Sequence, residues 1–436
     1  MTEAHADYNS SSSEPAMPAD VHEMANVFAR AIQAGRVGDS TSVAVFYDLS
    51  KLNLILARLR AAFPASALHA VAVKANPSIQ ILKRICTSGC GVEVASLGEL
   101  HLALAAKFSG ETIVFDSPVK TREELVRALT LGIGINANSL GELRKISGLY
   151  EKLNSRSQVG VRINPETGTG KIASTSVATK YSKFGVSLSD NRKALSQALN
   201  DYRWLTGVHV HIGSQGMSRD QLLDGVGAVY DYFIESGRNR EISTFNVGGG
   251  LPAKYKTSET PMTFDEYADA LRHRCPALFG SGVRLITEFG RAVHANCGWV
   301  AARIEDVVEQ GGQTTLLVHI GADMFLRKAY RPDDWHHDIS ICDSNGQVRD
   351  GAPKPFNVAG PLCFAGDYLG RGVFLPENVR EGDYVLVHDA GAYTFSMWSL
   401  YNSRQFPTII GYEKQGENFS VLRTQQTVEE IVRFWS

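Results

Sequence analysis

No stretch of this 436-residue chain approaches the ~20 uninterrupted apolar residues that a membrane-spanning helix needs. Charge of one sign is lacking too: 44 Lys and Arg stand against 46 Asp and Glu, a formal net charge of −2. Such a balance offers no basic stripe, so neither nucleic acid nor a membrane surface is expected as a partner. Cysteine is sparse, with six residues scattered at 86, 90, 275, 297, 342 and 363. Cys86 and Cys90 form a CxxxC without a second pair nearby, so no zinc or other metal site is expected. Reduced thiols in a cytoplasmic protein fit that pattern. The first twenty residues, MTEAHADYNSSSSEPAMPAD, have neither the charged start nor the apolar core of a secretory signal, and they are poor in Arg. They read as a disordered tail.

What the chain does have is a repeated theme. Hydrophobic residues make up 44% and charged residues 21%, enough for a sizeable core and two or three domains. Eight β-branched runs each end in Gly, Asn, Asp or Ser and are followed by amphipathic segments: HAVAVKAN (69–76), GVEVAS (91–96), TIVFDS (112–117), GIGINANS (132–139), QVGVRINP (158–165), GVHVHIGS (207–214), TFNVGGG (244–250) and RLITEFG (284–290). Runs this apolar suit strands buried on both faces. The segments 97–107 and 121–132 carry apolar residues at helical spacing, and Thr121 with Glu124 has the spacing of a capping box. Eightfold alternation predicts an α/β fold, a (β/α)8 barrel. The doubly wound open sheet is the alternative, but it calls for a Gly-rich turn after its first strand, where this chain has KAN.

VAVFYDLS (43–50) reads as one more strand. Beyond about residue 300 the texture changes to alternating, turn-broken runs, an all-β region. The expected plan is a lead-in over 1–42, a barrel over 43–300 and a C-terminal β domain over 301–436.

Barrel chemistry gathers at the C-terminal ends of the strands. Those ends supply Lys74, Asn76, Glu93, Ser96, Asn138, Arg162, Asn164, His211, Ser214, Gly248 to Gly250, Glu288 and Arg291. Lys74, in a buried apolar strand, must be paired, shifted in pKa or covalently used. Taken singly, a lysine emerging into solvent is the commoner case; a nucleophilic amine with a lowered pKa is the functional one. The triple glycine offers bare N–H groups to an anion, although a lone GGG is also an ordinary tight turn. Glu288 suits a protonated ring nitrogen and Arg291 a phosphate or carboxylate, unless the two simply pair with each other. His209 and His211 share a strand face, but a zinc site needs a third ligand, for which His319, His336 and His337 are candidates by composition alone. Cys363, like any single cysteine, defaults to a structural thiol.

AVKAN, GVEVASLGEL, KFG, HVHIGSQ, NVGGG, EFGR, AGPLC and DAGAY occur in order across roughly residues 43–410. Together they resemble the fold-type III pyridoxal phosphate decarboxylases, the alanine-racemase-like group that includes diaminopimelate and ornithine decarboxylases. The segment GAYTFSMWSLYNSRQFP is more similar to the diaminopimelate branch. The resemblance implies pyridoxal 5'-phosphate as cofactor, with Lys74 as its covalent anchor and His211 stacked on its ring. Ser214, Gly248, Gly249, Gly250, Gly290, Arg291 and Tyr393 fall where that family binds the phosphate, and Glu288 where it pairs with the ring nitrogen. Arg291, Tyr393, Arg327 and Tyr330 fall near the substrate, and Arg331 offers a further cation for a distal carboxylate. Cys363 matches a cysteine that reaches across a homodimer into the neighbour's site. Glu288 disfavours the racemases, which have arginine there. Retention of the whole constellation disfavours a non-catalytic homologue that regulates a partner decarboxylase.

Two departures stand out. In the type members an acid that receives the substrate's distal ammonium follows the cysteine; here Phe364 does, and Asp367 is the nearest acid that could replace it. Phe289 also stands where the family motif has proline. An ammonium left unpartnered in a desolvated site costs several kcal/mol. The expectation is therefore an amino-acid α-decarboxylase for a larger or less charged substrate in a specialised biosynthetic pathway. Diaminopimelate decarboxylation is the alternative.

Overall fold

The structure is a computed structural model that describes residues 20–436 except 39, 236, 238–241 and 281. The tail expected over the first twenty residues lies outside them apart from Asp20.

In chain order the first ten strands are β1 (Val43–Asp48), β2 (Leu68–Ala72), β3 (Gly91–Val94), β4 (Ile113–Phe115), β5 (Gly134–Ala137), β6 (Val159–Asn164), β7 (Val186–Ser187), β8 (Leu205–His209), β9 (Thr244–Asn246) and β10 (Arg284–Thr287). All eight runs singled out in the sequence form strands, and β2-β3-β4-β5-β6-β8-β9-β10 close into a parallel barrel through the β10–β2 and β5–β6 pairings. The two-residue β7 adds to β6 outside the ring. Helix starts follow the chemistry of the turns. Ser96 Oγ accepts from Glu99 N–H at 3.2 Å and Ser139 Oγ from Glu142 N–H at 3.1 Å, and Thr121 with Glu124 forms the expected capping box. The apolar faces of these helices and the strands form one continuous core.

The later strands are β11 (Gly298–Gln310), β12 (Gln313–Val318), β13 (Ile339–Cys342), β14 (Pro353–Ala359), β15 (Tyr368–Pro376), β16 (Tyr384–Val387), β17 (Thr408–Glu413) and β18 (Asn418–Arg423). They build a second, mostly antiparallel sheet with its own core. This sheet claims β1, which lies antiparallel to β11 and parallel to β17. Strand 43–48 is therefore no part of the barrel. It is as apolar as the barrel strands, and only its partners distinguish it. The helix Val21–Gln33, unremarked in the sequence, packs Phe28 against Tyr384 and Phe46. The region after 300 is the expected β domain, mostly sheet, with short helices over Leu326–Tyr330 and Val428–Trp435. Among the described residues no helix is long and apolar enough to cross a membrane.

The two units meet over the barrel mouth. Asn76 Nδ2 donates to Gly391 O at 3.2 Å, and Tyr393 N–H donates to Ala75 O at 3.0 Å. The segment after β16 thereby lies directly on the turn that carries Lys74.

Candidate active site

Lys74 sits in the single turn Val73–Ala75 that ends β2. Its Nζ lies 2.5 Å from Glu93 Oε2 at the end of β3; the carboxylate is fully buried, whereas the lysine side chain is 43% exposed to the mouth. Burial alone pulls the amine's pKa down, but Glu93, Tyr393 and Glu288 outweigh it and hold Lys74 well above the ordinary lysine range. The lowered pKa expected from sequence is thus reversed, because three acidic groups converge on one amine.

Below the amine lies a second charged layer. Glu288 accepts from Asn246 Nδ2 at 2.6 Å, and its other oxygen is 3.3 Å from His209 Nε2. The far nitrogen of His209 is 3.6 Å from Asp116, which also pairs with Arg162 at 3.3 Å. Burial raises the Asp116 carboxyl, yet His209, Arg162 and Lys120 overcome it and hold the group well below the usual range. Asp116, His209 and Glu288 bring their polar atoms within 4.8 Å of one another, close enough to suggest a cation site. The imidazole stands between the two carboxylates, one ring nitrogen toward each, although among the described residues neither nitrogen makes a hydrogen bond. His319, His336 and His337 are engaged elsewhere, with Arg404, Asp338 and the His388 carbonyl.

One wall is a cradle of backbone. Gly248 (φ +67°) and Gly250 (φ +113°) adopt left-handed conformations that side chains resist. A Cβ at Gly248 would approach Val210 O to 2.6 Å, and one at Gly249 would collide with Glu288 O. At Gly290 it would come 2.9 Å from Ala75 and 3.3 Å from the Tyr393 hydroxyl. Gly249 N–H donates to His211 Nδ1 at 3.0 Å, fixing that ring beside the cradle. Burial, with Arg162 and Lys74 nearby, keeps His211 well below its ordinary pKa and therefore neutral. Arg291 donates to Ser214 Oγ (3.2 Å) and to the Tyr255 hydroxyl (2.9 Å), and stacks on Trp335 and Tyr393. Arg327 lies 3.9 Å over Trp335 and donates to Tyr393 O at 2.9 Å. Burial and the neighbouring Arg291 lower its pKa to about 10. Among the described residues neither arginine has a carboxylate partner, so each keeps hydrogen-bonding capacity for an anion.

Cys363 and Phe364 stand apart. Cys363 is exposed, its N–H donating to Asn402 Oδ1 and its carbonyl accepting from the Tyr401 hydroxyl. Phe364 stacks on Tyr330, itself 66% exposed, at 5.9 Å and meets Tyr401 edge-on. Neither Cys363 nor Phe364 touches Lys74, His211, Glu288 or Arg291 of its own chain. Asp367 does not replace the missing acid: it is buried and accepts backbone N–H groups from Ala322 and Leu362, both at 2.6 Å. Phe289 faces the core, among Phe63, Phe264 and Tyr267, and so does not shape the mouth. Arg331 is engaged by Asp334 at 2.8 Å. Sequence reasoning gave no role to Glu93, Asp116, Asn246, Tyr255 or Trp335. The first three lie on or just beyond barrel strands, where a strand-end inventory can find them; Tyr255, well past β9, and Trp335 lie in irregular loops and left no signal.

A lysine among carboxylates, a bare-backbone cradle and two guanidinium groups without counterions suit a phosphorylated aldehyde cofactor with a basic ring nitrogen. The chain belongs to the pyridoxal-dependent decarboxylases: the model of that family's pyridoxal binding domain matches residues 49–295, more than half of the chain. It is a pyridoxal phosphate-dependent carboxy-lyase acting on an amino acid. Similar proteins include the diaminopimelate decarboxylase of Pseudomonas aeruginosa, 29% identical over 93% of this chain and 96% of that protein. The Escherichia coli K12 diaminopimelate decarboxylase is 32% identical over 83% of this chain and 87% of its own. The crystal structure of the Helicobacter pylori diaminopimelate decarboxylase complexed with L-lysine superimposes with a TM-score of 0.81 at 26% identity, covering 93% of this chain and 98% of that one.

Proposed function

We propose that this enzyme decarboxylates a diaminopimelate-type amino acid at its α-carbon. The observation that carries the reading is similarity to diaminopimelate decarboxylases along nearly the full chain, with the mouth chemistry intact. Bound pyridoxal phosphate supplies an electron sink for the pair left behind as CO2 departs. The chain's own groups do the rest. Lys74 anchors the cofactor's aldehyde carbon, and Glu93 governs the amine's proton. Glu288 holds the proton on the ring nitrogen, and neutral His211 covers the ring face. Ser214, Gly248, Gly249, Gly250, Gly290, Arg291 and Tyr393 bind the phosphate. Arg327, with Tyr330 at the rim, receives the substrate carboxylate. Cys363, exposed on its own subunit, completes the site of a second copy and returns a proton to Cα, which makes the working form a homodimer.

A second reading is favoured by Phe364. An aromatic ring stacked on Tyr330 offers no counter-charge to a distal ammonium, and Asp367 is committed to the backbone. On this reading the substrate is a specialised amino acid or conjugate whose far end is uncharged or apolar. CO2 release from a panel of amino acids separates the two. Rapid turnover of meso-diaminopimelate with the others idle supports the first reading. Inert diaminopimelate beside a reactive substrate with a blocked tail supports the second. Phe364→Glu then shifts preference toward diaminopimelate by about ten-fold or more, the value of one well-placed charge; no shift removes Phe364 from the specificity site.

A further inference from the structure

The barrel interior buries three carboxylates. Glu93 has Lys74 and Asp116 has Arg162. Among the described residues Glu288 has no Lys or Arg partner. Its oxygens are met by the Asn246 amide at 2.6 Å and by His209 Nε2 at 3.3 Å. The His209 ring is fully buried, with Asp116 3.6 Å from one nitrogen and Glu288 3.3 Å from the other. A carboxylate that must meet a ring nitrogen keeps its aim only if neighbouring groups fix it, and Asn246 and His209 are the ones placed to do so.

We propose that His209, backed by Asp116, is a positioning residue that keeps the Glu288 carboxylate aimed at the cofactor's ring nitrogen. The proposal rests on the role given to Glu288 above. Asp116 orients the imidazole, the imidazole presents its other edge to Glu288, and Asn246 fixes the remaining oxygen. A charge just past β4 thereby supports a carboxylate just past β10 across the barrel.

The test is binding to the apoenzyme, with two ligands. One is pyridoxal 5'-phosphate; the other is its 1-deaza analogue, with carbon in place of the ring nitrogen and the aldehyde and phosphate unchanged. Wild-type apoenzyme prefers the natural cofactor. His209→Leu is expected to cut that preference by about ten-fold while affinity for the analogue stays the same. His209→Gln, which retains a donor, recovers part of the preference. An equal loss for both ligands, as a merely structural role would give, overturns the proposal, and so does an unchanged preference. If His209→Leu fails to fold, Asp116→Asn decides: a smaller loss of preference in the same direction is expected, and no change overturns the proposal. Failure of the underlying reading is distinct, because wild-type apoenzyme would then bind neither ligand.

Discussion

Lys74 Nζ lies 2.5 Å from a Glu93 carboxylate that no solvent reaches, while the amine itself opens onto the barrel mouth. The acid thus sets the proton of the group that must attack the cofactor. Glu93→Gln removes the strongest influence raising the Lys74 pKa. At neutral pH more of the amine is then unprotonated, and the profile of pyridoxal phosphate capture by apoenzyme moves to lower pH. The measurement is the capture rate against pH, followed by absorbance. An unmoved profile denies Glu93 this role.

The cradle depends on an absent side chain. Gly249→Ala puts a methyl group against Glu288 O, a backbone atom that cannot rotate away. Over-packing costs ~1–3 kcal/mol, so the melting temperature of the apoenzyme is expected to fall by a few degrees and, as the displaced cradle loses its N–H geometry, cofactor affinity by about ten-fold or more. Dialysis against cofactor-free buffer measures the loss.

Cys363 belongs to another subunit's chemistry if its exposure has the meaning proposed above. Lys74→Ala and Cys363→Ala chains are each expected to be severely impaired. After mixing and subunit exchange, half of the dimers are mixed and each carries one complete site, so activity recovers to about one quarter of wild type. Absence of any recovery would sink the shared site.

Acid sensitivity follows from buried imidazoles. His294 is fully buried and hydrogen-bonded to the Tyr47 hydroxyl at 2.6 Å, and burial lowers its pKa to about 3. The unfolded chain binds a proton there near pH 6.5, well before the folded one does. The neutral ring's contribution is therefore complete above about pH 6.5 and is lost as pH falls from there toward about 3. Each such group steepens the decline by up to about 1.4 kcal/mol per pH unit. Denaturant melts between pH 6 and 4 should show a shallower decline for His294→Gln than for wild type.

The barrel was legible because parallel strands buried on both faces leave unbroken β-branched runs, and its strand ends already contained Lys74, His211, Glu288 and Arg291. Strand β1 has the same texture and lies in the other sheet, because partner choice is a long-range property that local composition does not carry. The direction of the Lys74 shift was lost for a related reason: Glu93 is 19 positions away in sequence, and only barrel closure aims it at the amine. Trp335, wedged against both Arg291 and Arg327, sits in a loop with no periodicity to read. Phe289 was misjudged because its neighbours Glu288 and Gly290 line the site; one residue's difference along the backbone turns its ring into the core.

The most direct measurement is chemical. Freshly purified enzyme saturated with pyridoxal 5'-phosphate is reduced with borohydride, digested and mapped by peptide mass spectrometry. The account predicts a stable phosphopyridoxyl adduct on the peptide carrying Lys74 and on no other lysine. An unmodified Lys74, or an adduct at a different position, would contradict it.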